Sequence, residues 1–339
     1  MKVLIIKTSS LGDVIHTLPA LTDAAKAIEN ISFDWVVEDS FQDIPCLHPS
    51  VDRIIPVSIR RWRKNPWAAR AAIRASIKAI QQQHYDLIID AQGLIKSAFL
   101  TRFAHGKRCG LSKTSCREPL AAMAYQQMVH VPKGQHAIVR VRQLFAQLLG
   151  YDLVEGELSY GLDKINFNAP IDLEKSYLVF LHGTTWESKH WPEVYWKELV
   201  SLAVDGGFNV YIPWGNEQEK QRAEMLCQEV SRAHVLPRSS IKDLTAVLMH
   251  AQGVVGVDSG LAHLTAACGT PSVSLYGSTS AKLTATMGLN NLALQTEFSC
   301  SPCLQRVCDY SEVSDVQPAC YQTLSPAKVW SSLTALMPA

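Results

Sequence analysis

The sequence predicts an α/β protein made of two similar parallel-sheet domains in tandem. Short β-branched runs alternate with amphipathic stretches of about 10 to 18 residues, the pattern of parallel strands joined by helices. A polar, turn-rich segment interrupts this alternation once, near the middle of the chain. The chain has 339 residues, of which 47% are hydrophobic and 19% charged, so it is also long enough for two ordinary domains.

The first domain is predicted over residues 1–160. Its strands are expected at residues 3–6, 33–37, 54–57 and 87–90, and its helices near residues 14–28, 67–83, 94–104 and 136–149. A linker is expected over residues 150–175, because this segment contains the turn-forming residues Gly156, Gly161, Asn166, Asn168 and Pro170.

The second domain is predicted over residues 175–322. Its strands are expected at residues 177–181, 208–212, 254–257 and 272–275. A last helix is expected within residues 325–336.

The charge is distributed unevenly between the two halves. Residues 1–165 carry 21 Lys and Arg against 15 Asp and Glu, and residues 166–339 carry 11 against 16. The first half is therefore basic and the second acidic, although the net charge of the whole is only +1. Chance clustering is one explanation, and a basic surface that faces an anionic partner is the other.

Composition and hydropathy exclude several classes of protein. The apolar content is too high for a disordered chain, and no apolar run approaches the roughly 20 residues of a membrane span. The amino terminus has a short apolar stretch, Val3–Ile6, between two lysines, which is unlike the core of a signal peptide. We therefore expect a cytoplasmic protein.

Polar residues follow the first predicted strand, where open parallel sheets bind ligands. Asp13 begins the next helix, so it is either a structural helix cap or a catalytic base. His16, one turn later, could orient Asp13 or be a core histidine.

Three loops of the second domain have features of a nucleotide pocket. The first places Thr184, Thr185 and Lys189 ahead of a helix, where hydroxyl groups and a cation suit phosphate oxygens. The second continues a buried strand with Asp258-Ser259-Gly260 and then His263. In the third, Glu219 can accept hydrogen bonds from ribose hydroxyls. Helix capping explains any one of these loops, but the three together favour a nucleotide.

Familiar cofactor and metal motifs are missing. The sequence has neither Gly-x-Gly-x-x-Gly after the first strand nor the P-loop pattern, which weakens hydride-transfer and ATPase hypotheses. It also lacks Asp-x-Asp, so we expect no metal and no other cofactor. Four late cysteines, Cys300, Cys303, Cys308 and Cys320, could bind zinc or iron–sulfur, but their spacing matches no strong template.

The segment from residue 53 to 74 is the most polarised in the chain. It holds seven Lys or Arg residues and no acid, with Trp62 and Trp67 interleaved. An anionic amphiphile at a membrane surface, a nucleic acid and a merely solvated helix face all fit this composition. Basic residues outside it include Lys96, Arg117 and the pair His136 and Arg140.

Motifs along nearly the whole chain resemble those of the ADP-heptose glycosyltransferases, the lipopolysaccharide heptosyltransferase family. They are KTSSLGDVIHTLPAL at residues 7–21, the Asp90–Leu94 loop, the loop from Thr184 to Pro192, and residues 258–263. The basic stretch at residues 60–64 and Arg117-Glu118-Pro119 favour the enzymes that act first in that pathway.

This resemblance implies a GT-B architecture, with two Rossmann-like domains facing across a cleft and residues 323–339 forming a helix that packs back on the first domain. It also implies inverting, metal-independent transfer of L-glycero-D-manno-heptose from ADP-heptose to Kdo2-lipid A at the cytoplasmic face of the inner membrane. No nucleic-acid partner is expected.

The resemblance further assigns a role to individual residues. Asp13 corresponds to the general base. The donor contacts it implies are Thr184, Thr185, Lys189, Glu219, Asp258, Ser259, Gly260 and His263, where Ser259 replaces a threonine but keeps the hydroxyl. The acceptor contacts it implies are Arg60, Arg61, Lys64, Lys96, Arg117, His136 and Arg140. A heptose acceptor, as used by the second enzyme of the pathway, and a noncatalytic nucleotide-sugar or anionic-lipid binding module remain the alternatives.

Overall fold

Each half of the sequence forms its own parallel sheet of six strands. The structure is a computed structural model, and it describes residues 1–154, 156–162, 173 and 176–338. Two units, Met1–Ile165 and Asn166–Ala339, divide the chain. The expected linker residues Asn166, Asn168 and Pro170 and the expected boundary at residue 175 lie outside the described residues.

The first unit alternates strands with helices. Its strands are β1 (Lys2–Ile6), β2 (Ser32–Glu38), β3 (Val51–Val57), β4 (His84–Asp90), β5 (His105–Leu111) and β6 (Gln127–Val129). Its α-helices are α1 (Leu11–Ile15), α2 (Leu18–Ala27), α3 (Ile59–Lys64), α4 (Arg70–Gln81), α5 (Ile95–Thr101) and α6 (Ala137–Leu149). A 3-10 helix also spans Pro119–Ala124.

The second unit repeats the alternation. Its strands are β7 (Tyr177–Leu181), β8 (Asn209–Ile212), β9 (Ala233–Val235), β10 (Gly253–Val257), β11 (Ser272–Tyr276) and β12 (Asn291–Gln295). Its α-helices are α7 (Glu193–Asp205), α8 (Glu217–Cys227), α9 (Ile241–His250), α10 (Gly260–Ala267), α11 (Ala281–Thr284) and α12 (Pro326–Thr334).

Both sheets have the same strand topology. The first has the order β3-β2-β1-β4-β5-β6, and the second has the order β12-β11-β10-β7-β8-β9, which is the same arrangement counted from its own first strand. This is the doubly wound Rossmann order, which changes direction between its first and fourth strands. Ligands bind at the carboxyl ends of those two strands. The topology therefore predicts a ligand site at the carboxyl ends of β1 and β4 in one unit, and another at the carboxyl ends of β7 and β10 in the other.

The central strands are apolar because both faces of each sheet are covered by helices. Residues Val3–Ile6 of β1 are fully buried, and β7, β10 and β11 are buried along their whole length. Strands of a parallel sheet with both faces covered are expected to be near-continuous apolar runs rather than alternating ones. The predicted α/β class is confirmed.

The helix predicted over residues 14–28 is two helices. The first, α1, ends at Ile15, and the second, α2, begins at Leu18 with Pro19 in its first turn. Proline lacks an N–H, and its ring would clash with the carbonyl of Ile15, four residues earlier. The chain therefore breaks between the two helices, which keeps the short α1 separate at the end of β1.

The last helix packs on the second unit. Val329 and Leu333 of α12 are buried in the same core as Leu178 and Val255, and the Trp330 ring lies edge-on to Phe208. The structure thus corrects the expectation that residues 323–339 pack on the first domain. The amphipathic pattern shows that α12 has an apolar face, but it does not show which core that face enters. In the described part of the chain, no helix is long and apolar enough to cross a membrane.

Candidate functional site

In the first unit, hydrogen bonds join the loop after β1 to the loop after β4. We call these two loops the β1–β4 rim. Lys7 Nζ donates a hydrogen bond of 3.1 Å to the Ala91 carbonyl. The backbone N–H and the hydroxyl of Thr8 both donate to Gln92 Oε1, each at 2.8 Å. The two loops at the predicted ligand-binding edge of this sheet are therefore held together by side-chain hydrogen bonds.

Asp13 lies on this rim in the capping-box position of α1. Its Oδ2 accepts hydrogen bonds from the Ser10 N–H at 2.8 Å and the Ser10 hydroxyl at 2.9 Å. The Lys7 ammonium lies 3.5 Å from Oδ1, and the Asp13 side chain remains 42% exposed. The carboxylate thus caps a helix while its side chain stays partly accessible to another molecule.

Charge makes the Asp13 carboxyl strongly acidic. Partial burial acts to raise its pKa, but the Lys7 ammonium and the hydrogen bonds from Ser10 outweigh burial and lower the pKa to about 2. His16, itself buried, contributes in the same direction. Asp13 is therefore ionised at neutral pH and ready to accept a proton, although as a weak base.

A buried carboxyl group shapes the loop after β4. Asp90 Oδ1 accepts hydrogen bonds from the N–H groups of Gln92 and Gly93, and Oδ2 accepts from the hydroxyls of Ser97 at 2.9 Å and Tyr125 at 2.6 Å. Burial raises the pKa of Asp90, while these four donors act against that rise. Asp90 is thus a structural anchor that fixes the backbone of the Asp90–Leu94 loop.

Four of the seven predicted acceptor contacts lie around this rim. Lys96 Nζ is 3.4 Å from the Ser9 hydroxyl, and the ring of His136 lies 6.0 Å from that of His16. The backbone N–H of Arg117 lies close to Gly93. Arg140 donates to the carbonyls of Ser115 and Pro132, and burial lowers its pKa. Two of the five N–H donors of its guanidinium therefore support the loops after β5 and β6.

The other three predicted acceptor contacts lie on α3, which follows β3 at the same edge of the sheet. Arg61 pairs with Asp39, and the Arg60 N–H donates to Glu38 Oε1 at 3.3 Å. Both acids directly end or follow β2, which pairs with β1. Arg60, Arg61 and Lys64 are exposed, so the edge presents cations to solvent.

In the second unit, a nearly buried ion pair lies at the ends of β7 and β10. Lys189 Nζ is 2.7 Å from Asp258 Oδ2, and the two side chains are 15% and 8% exposed. The Thr279 hydroxyl donates to the same oxygen at 2.6 Å, and His263 Nε2 lies 3.7 Å from Oδ1. Burial acts to raise the pKa of Asp258, but the His263 ring and the Lys189 ammonium hold it well below its usual range.

Backbone donors and hydroxyls surround this pair. The Thr184 hydroxyl donates to the Asp258 carbonyl at 3.2 Å, which ties the loop after β7 to the loop after β10. Ser259 caps α10, whose first residue is Gly260, so the free N–H groups of that helix start beside Asp258. Thr185 is exposed at the same loop. Such a helix start favours an anion.

Glu219 belongs to the same edge of the sheet. Its Oε2 accepts a hydrogen bond of 2.7 Å from the Gly215 N–H. A Cβ on Gly183 would lie only about 3 Å from the Glu219 carboxyl group, so the two loops approach closely and position 183 has no room for a side chain. The carboxylate therefore lies beside the loop that carries Thr184 and Thr185.

Two residues of these sites were not predicted. Lys7 is only 6% exposed, and Thr279 is buried. Thr279 follows β11, so the rule that selected the other loops would also have found it. Lys7 stood in a quoted motif, but lysine is mostly exposed in proteins and the sequence gives no sign of its burial.

The late cysteines form no obvious metal site. All four are free thiols. Among the described residues, including these four, no group of three or more His, Cys, Asp or Glu side chains is placed to hold a metal ion.

Comparison with known proteins shows the family of this chain. The sequence profile described as glycosyltransferase family 9 (heptosyltransferase) matches residues 73–314. The chain belongs to glycosyltransferase family 9, the heptosyltransferases. It is 48% identical to lipopolysaccharide heptosyltransferase 1 of Pseudomonas aeruginosa, over 99% of this chain and 98% of that protein.

Solved structures support the same assignment. Escherichia coli heptosyltransferase WaaC with ADP-2-deoxy-2-fluoro heptose matches with a TM-score of 0.85 and 41% identity, covering 99% of each chain. WaaC with ADP matches with a TM-score of 0.82 and 46% identity, covering 86% of this chain and 92% of that one. These comparisons confirm the resemblance to the lipopolysaccharide heptosyltransferases and the predicted GT-B class. The protein is a glycosyltransferase.

Proposed function

We propose that this heptosyltransferase moves L-glycero-D-manno-heptose from ADP-heptose to Kdo2-lipid A, with inversion at the anomeric carbon and without a metal. The observation that carries the donor half is the Lys189–Asp258 pair beside the start of α10, at the switch point of the second sheet. Similarity to lipopolysaccharide heptosyltransferase 1, and to WaaC with ADP and with ADP-2-deoxy-2-fluoro heptose, supports the donor and the first step of the pathway.

The second unit would bind the diphosphate through several donors at once. An ammonium has three N–H donors, so Lys189 can bond Asp258 with one and phosphate oxygens with others. The hydroxyls of Thr184, Thr185 and Ser259 and the N–H groups at Gly260 add neutral donors. Glu219 would accept from the ribose hydroxyls, and Asp258 with His263 would contact the sugar side of the diphosphate. Charge on the leaving ADP is thereby stabilised as it develops.

Asp13 would act as the general base on the acceptor. The Kdo hydroxyl oxygen forms a bond to the anomeric carbon while the carbon–oxygen bond to ADP breaks, and that electron pair leaves with ADP. The hydroxyl becomes much more acidic as its new bond forms, so even a carboxylate with a pKa of about 2 can take its proton late in the step. Asp13 Oδ1 lies 3.5 Å from the Lys7 ammonium, and the side chain as a whole is 42% exposed.

Two substitutions separate this catalytic role from helix capping. Asp13→Asn keeps an oxygen that can accept from Ser10 but removes the base, so we expect kcat to fall by about 10²-fold or more while ADP affinity is unchanged. Ser10→Ala removes the hydroxyl of the capping box and keeps the base, so we expect a smaller loss of kcat together with slightly reduced thermal stability. Equal losses in the two variants, or full turnover in Asp13→Asn, would reduce Asp13 to a helix cap.

The acceptor assignment is tested by product analysis. We expect mass spectrometry to show one added heptose on Kdo2-lipid A in the presence of EDTA, and no addition to an acceptor that already carries the first heptose. Addition only to the heptosylated acceptor would indicate the second enzyme of the pathway. ADP binding without any product would indicate a noncatalytic module.

The basic residues of the first unit, most of them exposed, support a contact with this anionic acceptor. Arg60, Arg61 and Lys64 on α3, with Lys96, Arg117, His136 and Arg140 around the β1–β4 rim, would bind its carboxylates and phosphates. We expect Arg60→Ala and Lys64→Ala to raise KM for the acceptor several-fold, increasingly at low salt, without changing ADP affinity. An effect on ADP affinity instead would remove them from the acceptor surface.

A lipid acceptor also places the proposed reaction at a membrane. We propose that the protein acts in the cytoplasm as a peripheral protein on the inner membrane, with no nucleic-acid partner. In cell fractionation it should follow the inner membrane at low salt and be released by high salt. Recovery in the supernatant at every salt concentration would contradict this location.

A further inference from the structure

Four large apolar side chains lie exposed on one part of the first unit. Ile95 and Phe99 of α5, and Leu120 and Met123 of the 3-10 helix, are 51 to 83% exposed. Ile95 and Phe99 are four residues apart, so they lie on the same helix face. Leu120 and Met123 are three residues apart, the spacing that aligns side chains in a 3-10 helix. We call these four residues the apolar surface.

The two helices that carry the apolar surface are fixed to each other. They pack together, and the Ile95 N–H donates a hydrogen bond of 2.7 Å to Glu118 Oε2 at the start of the 3-10 helix. Phe99 also contacts Phe103 edge-on, with ring centroids 5.1 Å apart, and Phe103 packs against the core of the first unit. The four residues of the apolar surface therefore lie on two helices that are held together.

Cations surround the apolar surface. Lys96 follows Ile95, Arg117 precedes the 3-10 helix, and Arg102 directly follows α5; all three are exposed. The nearby acid, Glu118, is already engaged by the Ile95 N–H. Exposed apolar residues among Lys and Arg are the composition by which proteins enter the boundary between lipid headgroups and acyl chains.

We propose that the apolar surface inserts into the headgroup region of an anionic lipid bilayer. The charge of its surroundings selects this partner, because Lys96, Arg102 and Arg117 complement lipid phosphates. Lys96 also reaches the Ser9 hydroxyl, at 3.4 Å, so insertion would bring the β1–β4 rim to the membrane surface. This inference rests on the proposed membrane-bound acceptor, and it assigns the lipid contact to a different surface from the basic segment at residues 53–74.

The basic segment is less suited to insertion. Trp67 is exposed but lies under the Arg70 guanidinium, 4.9 Å from its ring centroid. Trp62 is partly buried against the core of the first unit. That segment therefore offers charge with one exposed aromatic ring, that of Trp67, whereas the apolar surface combines four exposed apolar side chains with cations.

Co-sedimentation with vesicles of phosphatidylglycerol and phosphatidylethanolamine tests the proposal. The full chain carrying Phe99→Ser and Met123→Ser should partition onto these vesicles at least about tenfold less than the unsubstituted chain, since each side chain loses its buried apolar area. The matched control carries Leu289→Ser and Val313→Ser, two exposed apolar residues of the second unit, and should bind like the unsubstituted chain. Circular dichroism and the temperature of thermal unfolding should be the same in all three, which shows that each is folded.

Three results would overturn the proposal. One is unchanged vesicle binding by the Phe99→Ser, Met123→Ser variant. Another is an equal loss in the control or a loss only in Trp67→Ser. The third is a concentration-dependent dimer of the unsubstituted chain that the double variant abolishes, which would make the surface an interface between copies. Kdo2-lipid A dispersed in detergent, without a bilayer, separates the proposals, because failure to glycosylate it refutes the proposed function and leaves the vesicle result standing.

Discussion

Replacing Lys189 by methionine tests the donor site through both stability and binding. The change keeps the aliphatic stem but leaves the Asp258 carboxylate nearly buried without its cation. Removing one partner of a buried ion pair costs about 3–5 kcal/mol. Asp258 retains the Thr279 hydroxyl and the nearby His263 ring, so we expect a loss in the free energy of unfolding at the lower end of that range, about 3 kcal/mol.

A double-mutant cycle shows whether the lost stability of Lys189→Met comes from the unpaired Asp258 carboxylate. Asp258→Asn alone leaves the ammonium of Lys189 unpaired, whereas Lys189→Met with Asp258→Asn removes both charges and should recover most of the stability. Urea unfolding, followed by fluorescence, reports on the second unit because Trp191 and Trp196 are buried in its core. ADP affinity should behave differently. It should fall about 10- to 100-fold in Lys189→Met and stay low in the double variant, since a charged hydrogen bond to phosphate is lost in both.

The pH dependence of the free energy of unfolding gives a second test of the Lys189–Asp258 ion pair. The pKa of Asp258 is depressed in the folded state, so its contribution to stability is present above the usual value of 3.8 and is lost as the pH falls towards the folded pKa. Lys189→Met should reduce this acid-dependent loss. Unfolding of Lys189→Met like that of the unsubstituted chain would contradict a stabilising Lys189–Asp258 ion pair. Recovery of ADP affinity along with stability when both charges are removed would contradict the phosphate contact of Lys189.

Further predictions concern the β1–β4 rim and the proposed ribose contact of Glu219. Lys7→Met removes a cation beside Asp13, so the pKa of Asp13 should rise and the acid limb of kcat/KM should move to higher pH; an unchanged pH profile would contradict the role of Lys7. Tyr125→Phe removes a buried 2.6 Å donor to Asp90 and should lower the free energy of unfolding by about 1–3 kcal/mol, read from urea unfolding, whereas no loss would mean that water replaces the hydroxyl. Glu219→Gln should weaken ADP binding about tenfold and leave pyrophosphate binding unchanged in calorimetry, and an equal effect on both ligands would place Glu219 at the phosphates instead.

The sequence predicts much of the fold because parallel strands have a strong local signal. The buried strands β1, β7 and β10 are near-continuous apolar runs, and their predicted limits lie within one residue of the observed ones. Pro19 marks a helix break that the apolar periodicity hides, because the periodic pattern continues through α1 and α2. The destination of α12 depends on which core its apolar face fits, and that is a property of the packed structure.

The candidate site also has features that the sequence predicts and features that depend on the folded structure. The rule that ligands bind beyond strand ends selected Asp13, Lys189 and Asp258 from residue types alone. The pairing of Lys189 with Asp258 joins loops far apart in sequence and appears only when β7 and β10 lie side by side. Likewise, the burial of Lys7 depends on the neighbouring loop after β4, so its effect on Asp13 was not visible in the motif.

A crystal structure of the chain with ADP would show where the diphosphate binds. We expect it at the carboxyl ends of β7 and β10, with an oxygen within hydrogen-bonding distance of Lys189 Nζ and another at the start of α10. A diphosphate bound at the ends of β1 and β4 instead, or one that makes no contact with Lys189, would contradict it.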